Sequence, residues 1–136
     1  MTGPDRRPVV VVARPRPREV MLDGFFLIAA LGFFAGVAPP TSIETQVPVP
    51  WRWVWYLLLF GGGGLILASH FRTRWVDRLL TERHGCWASA AGSLIFAVAA
   101  FAYTGASAFF AAGFMISWTC AQLWRIAQIH KELSGH

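Results

Sequence analysis

Charged residues are scarce in this chain, 14% of 136 residues, against a hydrophobic share of 55%. A water-soluble domain carries roughly a quarter of its residues as charges, and a domain of this size has too little interior to hide so much apolar surface. With a mean hydropathy of +0.47, the composition excludes an ordinary soluble domain and requires lipid as the solvent. Asparagine is absent and lysine occurs once, at Lys131. Cysteine occurs twice, at Cys86 and Cys120, without CxxC spacing. That excludes a disulfide framework or a thiolate metal centre and predicts two free, buried thiols.

Catalytic signatures are missing too. There is no GxSxG, and the run Gly61, Gly62, Gly63, Gly64 is not followed by Lys-Ser or Lys-Thr, so it is not a phosphate loop. His70, His84, His130 and His136 lack the spacing of a helix-borne metal pair with a glutamate. The expectation is a protein that is not an enzyme and uses neither cofactor nor metal. Segments 53–69, 86–103 and 105–124 hold no Asp, Glu, Lys or Arg. Intramembrane charges mark ion and proton pathways, so a coupled transporter or voltage sensor is not expected, and a small channel is a weaker alternative.

What is present is a succession of four apolar segments. Residues 20–38 would form about 28 Å of helix, just enough for a hydrocarbon core of about 30 Å. Asp23 is expected to cap its start, and Pro39-Pro40 to end it. The basic region before this segment gives it the look of a signal peptide, but Pro39 follows the small residues directly and disfavours cleavage. A retained helix is therefore expected. The connection around residues 104–107 is so short that segments 86–103 and 105–124 must form an antiparallel hairpin. Between the second and third segments, HFRTRWVDRLLTERHG (residues 70–85) repeats Phe71, Trp75 and Leu79 at i, i+4, i+8 among arginines. This predicts a short amphipathic helix lying at a membrane interface. The expected fold is thus all-α, an integral membrane protein with one four-helix transmembrane domain over residues 20–136, preceded by a basic tail at 1–19.

The placement of basic residues orients it. With four spans, one side receives the tail, the 70–85 connection and the C-terminal segment, which together hold eleven of the twelve Lys and Arg; the other side receives only Arg52. Positive residues stay in the cytoplasm, so both termini are expected there, in the cytoplasmic membrane. A net charge of +5 and a pI near 10.2 would suit nucleic acid, but this distribution suits an anionic leaflet, and no nucleic acid is expected. Arg14, Arg16 and Arg18, alternating with prolines, and Arg72, Arg74 and Arg78 are candidates for headgroup contact. Trp51, Trp53, Trp55, Tyr56 and Trp75 are candidate interfacial anchors.

Small residues supply a packing pattern. Gly32 and Gly36 form a GxxxG, Gly113 and Ser117 a second stripe, and Gly61, Gly62, Gly63 and Gly64 strip side chains from every face of one span. This midpoint is expected to receive phenylalanines from a neighbour, Phe33/Phe34 or Phe110/Phe114. Gln122 is the candidate for an interhelical hydrogen bond, and Ser89, Ser93 and Ser117 for lining a pore.

The order Ser42-Ile43, Pro50-Trp51, Trp55-Tyr56, Gly61 to Gly64, then Glu82-Arg83-His84-Gly85, Tyr103, and Leu123-Trp124-Arg125 before Gln128-Ile129 resembles small multi-span membrane proteins encoded by phages of actinobacteria, some of them treated as holin-like. The resemblance spans roughly residues 40 to 130. It implies a phage membrane protein more than an activity, and it carries over no functional residue. Small size, four short spans, glycine stripes and a basic cytoplasmic tail give the expectation of a holin-like protein that oligomerises and permeabilises the cytoplasmic membrane. The alternative expectation is a non-catalytic accessory protein, such as an exclusion or scaffold subunit, that binds another membrane protein. The expected partners are the lipid bilayer and either further copies of the chain or another membrane protein.

Overall fold

The computed structural model describes residues 17–135. These are almost wholly helical, and no strand occurs among them. Helix α1 runs Pro17–Phe34. Asp23 therefore lies inside the helix and not at its cap, contrary to the sequence expectation.

The helix also stops earlier than residue 38. Gly36 takes φ +94°, its N–H donates to Phe33 O at 3.1 Å, and the Val37 N–H donates to Gly32 O at 2.9 Å. This pair of bonds closes the last turn and needs a left-handed residue, which glycine supplies without strain. Gly36 is thus a helix terminator, not the second half of a packing stripe. Gly32 meets Val37 of the same closing turn.

Residues 39–52 join the first two apolar segments of the sequence. Within them Thr41–Gln46 form the short helix α2, and Ile43 from it is completely buried. Helix α3 begins at Val49, with Pro48 as its cap, and continues to Ser69. Arg52 ties the two together, its guanidinium donating to Val47 O at 2.8 Å and to Glu44 O. Despite the four glycines, α3 is unbroken.

Helix α4 spans Trp75–Thr104, 30 residues, or about 45 Å. The separate interfacial helix expected over 70–85 does not exist as such: residues 75–85 are the first third of α4, and 70–74 are a turn. Nothing between Trp75 and Trp87 breaks a helix except Gly85, and α4 continues through that glycine, which sits in close contact with α3. After α4, Gly105 (φ +57°) turns the chain, a single 3-10 turn covers Gly105–Ala108, and α5 runs Phe109–Ser134. The expected antiparallel hairpin is present, with legs longer than expected.

The packing order is α1–α3–α4–α5. Helices α3 and α5 both lie along α4, α2 rests on α4 and α3, and α1 contacts α3 alone among the described residues. The helices therefore form an open row and not a closed bundle. Ile43, Trp55, Tyr56, Leu59, Ala99 and Trp118 make the main core, joined by Phe33 and Phe96. An alanine seam of Ala97, Ala100, Ala108 and Ala112 closes the hairpin tip. Two helical stretches, Val49–Ser69 and Trp75–Ser134, are long and apolar enough to cross a membrane. The second of them folds back on itself at Gly105.

Candidate functional site at the base of the hairpin

Two seams position the site. Between α3 and α4, backbone meets backbone. A Cβ on Gly62 would lie 2.7 Å from Ser89 N, and one on Gly85 would lie 2.7 Å from Ile66 Cγ1 and 2.9 Å from Gly62 O. Gly92 gives room to Leu59, 3.0 Å from where its Cβ would be. The phenylalanines expected at the glycine run are elsewhere. Phe33 packs on Trp55 and Tyr56, with ring centroids 5.4 and 5.3 Å apart, and Phe34 on Trp53 and Phe60. Phe110 and Phe114 are exposed. Of the four glycines, Gly62 and Gly63 are buried, Gly61 meets nothing, and Gly64 touches Leu27 at ordinary distance.

Between α4 and α5, side chains make the contact. Trp118 Nε1 donates to Ser89 Oγ at 3.2 Å, and Thr119 Oγ1 reaches Ala90 O at 3.5 Å while bonding Met115 O at 2.9 Å. Ser93 Oγ donates to Ser89 O at 2.8 Å. Ser89 and Ser93 are thus buried in packing and do not line an open passage, whereas Ser117 faces outward. Gln122 is buried.

Toward the open end of the hairpin stands an ion pair that sequence reasoning missed. Arg125 Nε and Nη2 donate to Glu82 Oε1 and Oε2 at 2.6 and 3.1 Å, a two-pronged geometry. Arg125 Nη1 also reaches Glu132 at 3.3 Å. Burial is the largest influence on Arg125 and lowers its pKa, but the hydrogen bonds and charges of Glu82 and Glu132 outweigh it, so the net shift is upward. The guanidinium stays charged. The available signal was reflection across the hairpin turn, which pairs the start of one leg with the end of the other.

Beside this pair a groove of about 540 Å³ opens between the helices. Arg83, His84 and Trp87 of α4 line one wall, and Leu123, Ile126 and His130 of α5 the other. On each helix these residues recur at three- and four-residue spacing, which puts them on one face. His84 Nδ1 lies 2.6 Å from Leu80 O. A carbonyl only accepts, so Nδ1 carries the proton and Nε2 is left free of that bond.

The other sequence-singled residues scatter. Trp51 and Trp53 are exposed, whereas Trp55 is 2% exposed and donates Nε1–H to Gly92 O at 3.0 Å. Tyr56 is buried beside it, so these two are core residues and not outward anchors. Trp75 is exposed, as are Arg72 and Arg74, and Arg78 is half-buried. Arg14 and Arg16 lie outside the described residues, as does the side chain of Arg18. Gly113 has open space around it. Cys86 is buried but Cys120 is exposed, a correction to the expectation of two buried thiols. Among the described residues no cluster of three His, Cys, Asp or Glu could hold a metal ion. No protein-family model matches the chain, and no curated protein or solved structure matches it either.

Proposed function

We propose that the protein is a multi-pass membrane protein that crosses the cytoplasmic membrane four times, through α1, α3 and the two legs of the α4–α5 hairpin, and assembles with copies of itself into a holin-like lesion. The fold-back at Gly105 supports this reading by dividing Trp75–Ser134 into two legs, each longer than the roughly 20 residues a span requires; α3 adds a third crossing, and the apolar α1 is taken as the fourth. Four crossings also collect eleven of the twelve Lys and Arg on one side, the arrangement that retains both termini in the cytoplasm.

The observation that carries the assembly is the open row. α1 and α5 stand at its two edges, and the outer face of α5 presents Phe109, Phe110, Phe114 and Trp124 together with the small residues Gly113 and Ser117. In lipid such a face associates by van der Waals packing where small residues let backbones approach. The uncharged runs 53–69, 86–103 and 105–124 offer no charged coupling group, and the buried serines are consumed in helix contacts, which weighs against a gated channel through α3 and the hairpin of one copy.

Inducible expression in a bacterial host tests this directly. Collapse of membrane potential at a defined time after induction is expected, together with oxidant-driven crosslinking through Cys120. Unchanged potential and viability at high expression would sink the lesion reading. Purification in mild detergent with one stoichiometric foreign membrane protein would transfer the edge to a hetero-partner instead.

A further inference from the structure

We infer that the groove at the base of the α4–α5 hairpin is a binding site for an anionic phospholipid, taking the phosphate at Arg83 and His130 and one acyl chain along Trp87 and Leu123. The inference rests on the membrane reading above but concerns a different surface from the α5 edge proposed for assembly.

Three observations converge on it. The groove is chemically two-sided, since Arg83 and His130 bring nitrogen donors while Trp87, Leu123 and Ile126 form an apolar lining. A free phosphate would use only the first half of that lining, and a hydrocarbon only the second. An amphiphile with an anionic head uses both. Its level along the hairpin is also right: Trp87 and Leu123 lie where the uncharged runs 86–103 and 105–124 begin and end, and tryptophan favours the height of the headgroups.

The charge around the groove is arranged for an anion. Glu82 is the acidic residue next to the groove-lining Arg83, and both its oxygens are occupied by Arg125. Glu132, on the α5 side, also engages Arg125. Both carboxylates that would repel a phosphate are thereby engaged by an arginine outside the lining, which offsets one of their two charges, while Arg83 makes no ion pair among the described residues. A guanidinium left free at such a position is suited to two-pronged recognition of phosphate oxygens. This assigns Arg83 a role apart from Arg72, Arg74 and Arg78, which sit on a turn and on the first turn of α4 outside the groove.

The test uses the full chain reconstituted in vesicles of equal parts phosphatidylcholine and phosphatidylglycerol, extracted gently and weighed intact by native mass spectrometry. Wild-type protein should retain phosphatidylglycerol in preference to phosphatidylcholine. The double variant Arg83→Gln/His130→Gln should hold it about tenfold more weakly, Arg83→Lys should recover part of the loss, and Lys131→Gln, which removes a neighbouring cation outside the lining, should behave as wild type. Equal retention of the two lipids, or a double variant indistinguishable from wild type, would overturn the site. Displacement of the bound lipid by millimolar inorganic phosphate would also overturn it, by assigning the groove to a free anion. Flotation of the same samples separates the two levels of the claim. Wild-type protein that fails to float with vesicles removes the membrane reading itself, whereas protein that floats but shows no lipid preference removes the groove alone.

Discussion

The two faces of α4 are built on opposite principles. Toward α3, contact depends on what is missing: Gly62 and Gly85 have no side chains, and the backbones close to distances that a single Cβ would violate. Toward α5, contact depends on what is present: an indole on a hydroxyl, a threonine on a carbonyl and a forked ion pair. Across the first seam the Trp55 indole bonds Gly92 O, while the buried Ser69 hydroxyl donates back to Ile66 O of its own helix, and the seam suits a hydrocarbon surround where dispersion between close backbones is the main source of association. The second places its forked charged pair at the hairpin base, next to the basic 70–85 segment. A helix that crosses a membrane and emerges from it would be divided in this way.

The sharpest way to break the comparison is to add atoms to the glycine seam. Gly85→Leu should drive α3 and α4 apart, with a cost of about 3 kcal/mol or more, read as a large fall in the thermal midpoint in detergent. The smaller Gly62→Ala should already be destabilising because its Cβ would fall on the Ser89 backbone. Next in size is Glu82→Gln. Removing one charge from a mostly buried forked pair leaves Arg125 without its main partner, and about 2 kcal/mol is expected, read as a lower thermal midpoint in detergent. Trp55→Phe keeps the ring and removes the bond to Gly92 O, so about 1 kcal/mol should be lost. The smallest effect should come from Gly61→Ala. Its Cβ meets nothing, and replacing glycine within a helix should be neutral or stabilising by about 0.5–1 kcal/mol. If Gly61→Ala and Gly62→Ala proved equally harmful, the glycine run would be acting through helix flexibility and not through close approach.

The positions of long helices were legible in the sequence, because apolar runs without charge leave few alternatives, and so was the tight hairpin, because the turn between residues 103 and 108 is too short for anything else. Boundaries were less legible. Gly36 was read as half of a packing motif when its backbone ends α1, since a GxxxG pattern does not say whether its second glycine is still helical. The 70–85 segment has the periodicity of a separate amphipathic helix, yet the same periodicity suits the first turns of a longer one. Trp55 shows why aromatic anchors cannot be read by clustering alone: Trp51, Trp53 and Trp55 are near neighbours in sequence, but helical rotation sends only Trp55 into the core, where its N–H finds Gly92 O.

Composition by itself determined that this chain is helical and apolar, that its charges are confined to segment ends, and that no familiar catalytic constellation is present. These are properties of counts and runs, which each residue carries wherever it is placed. Only the tertiary structure decided which glycine is a contact and which is a stop, that Glu82 belongs to Arg125 across the hairpin, and that Arg83 is thereby left facing a groove. Those outcomes depend on helix rotation and register between segments far apart in the chain, and pairing at that range exists only once the helices have packed.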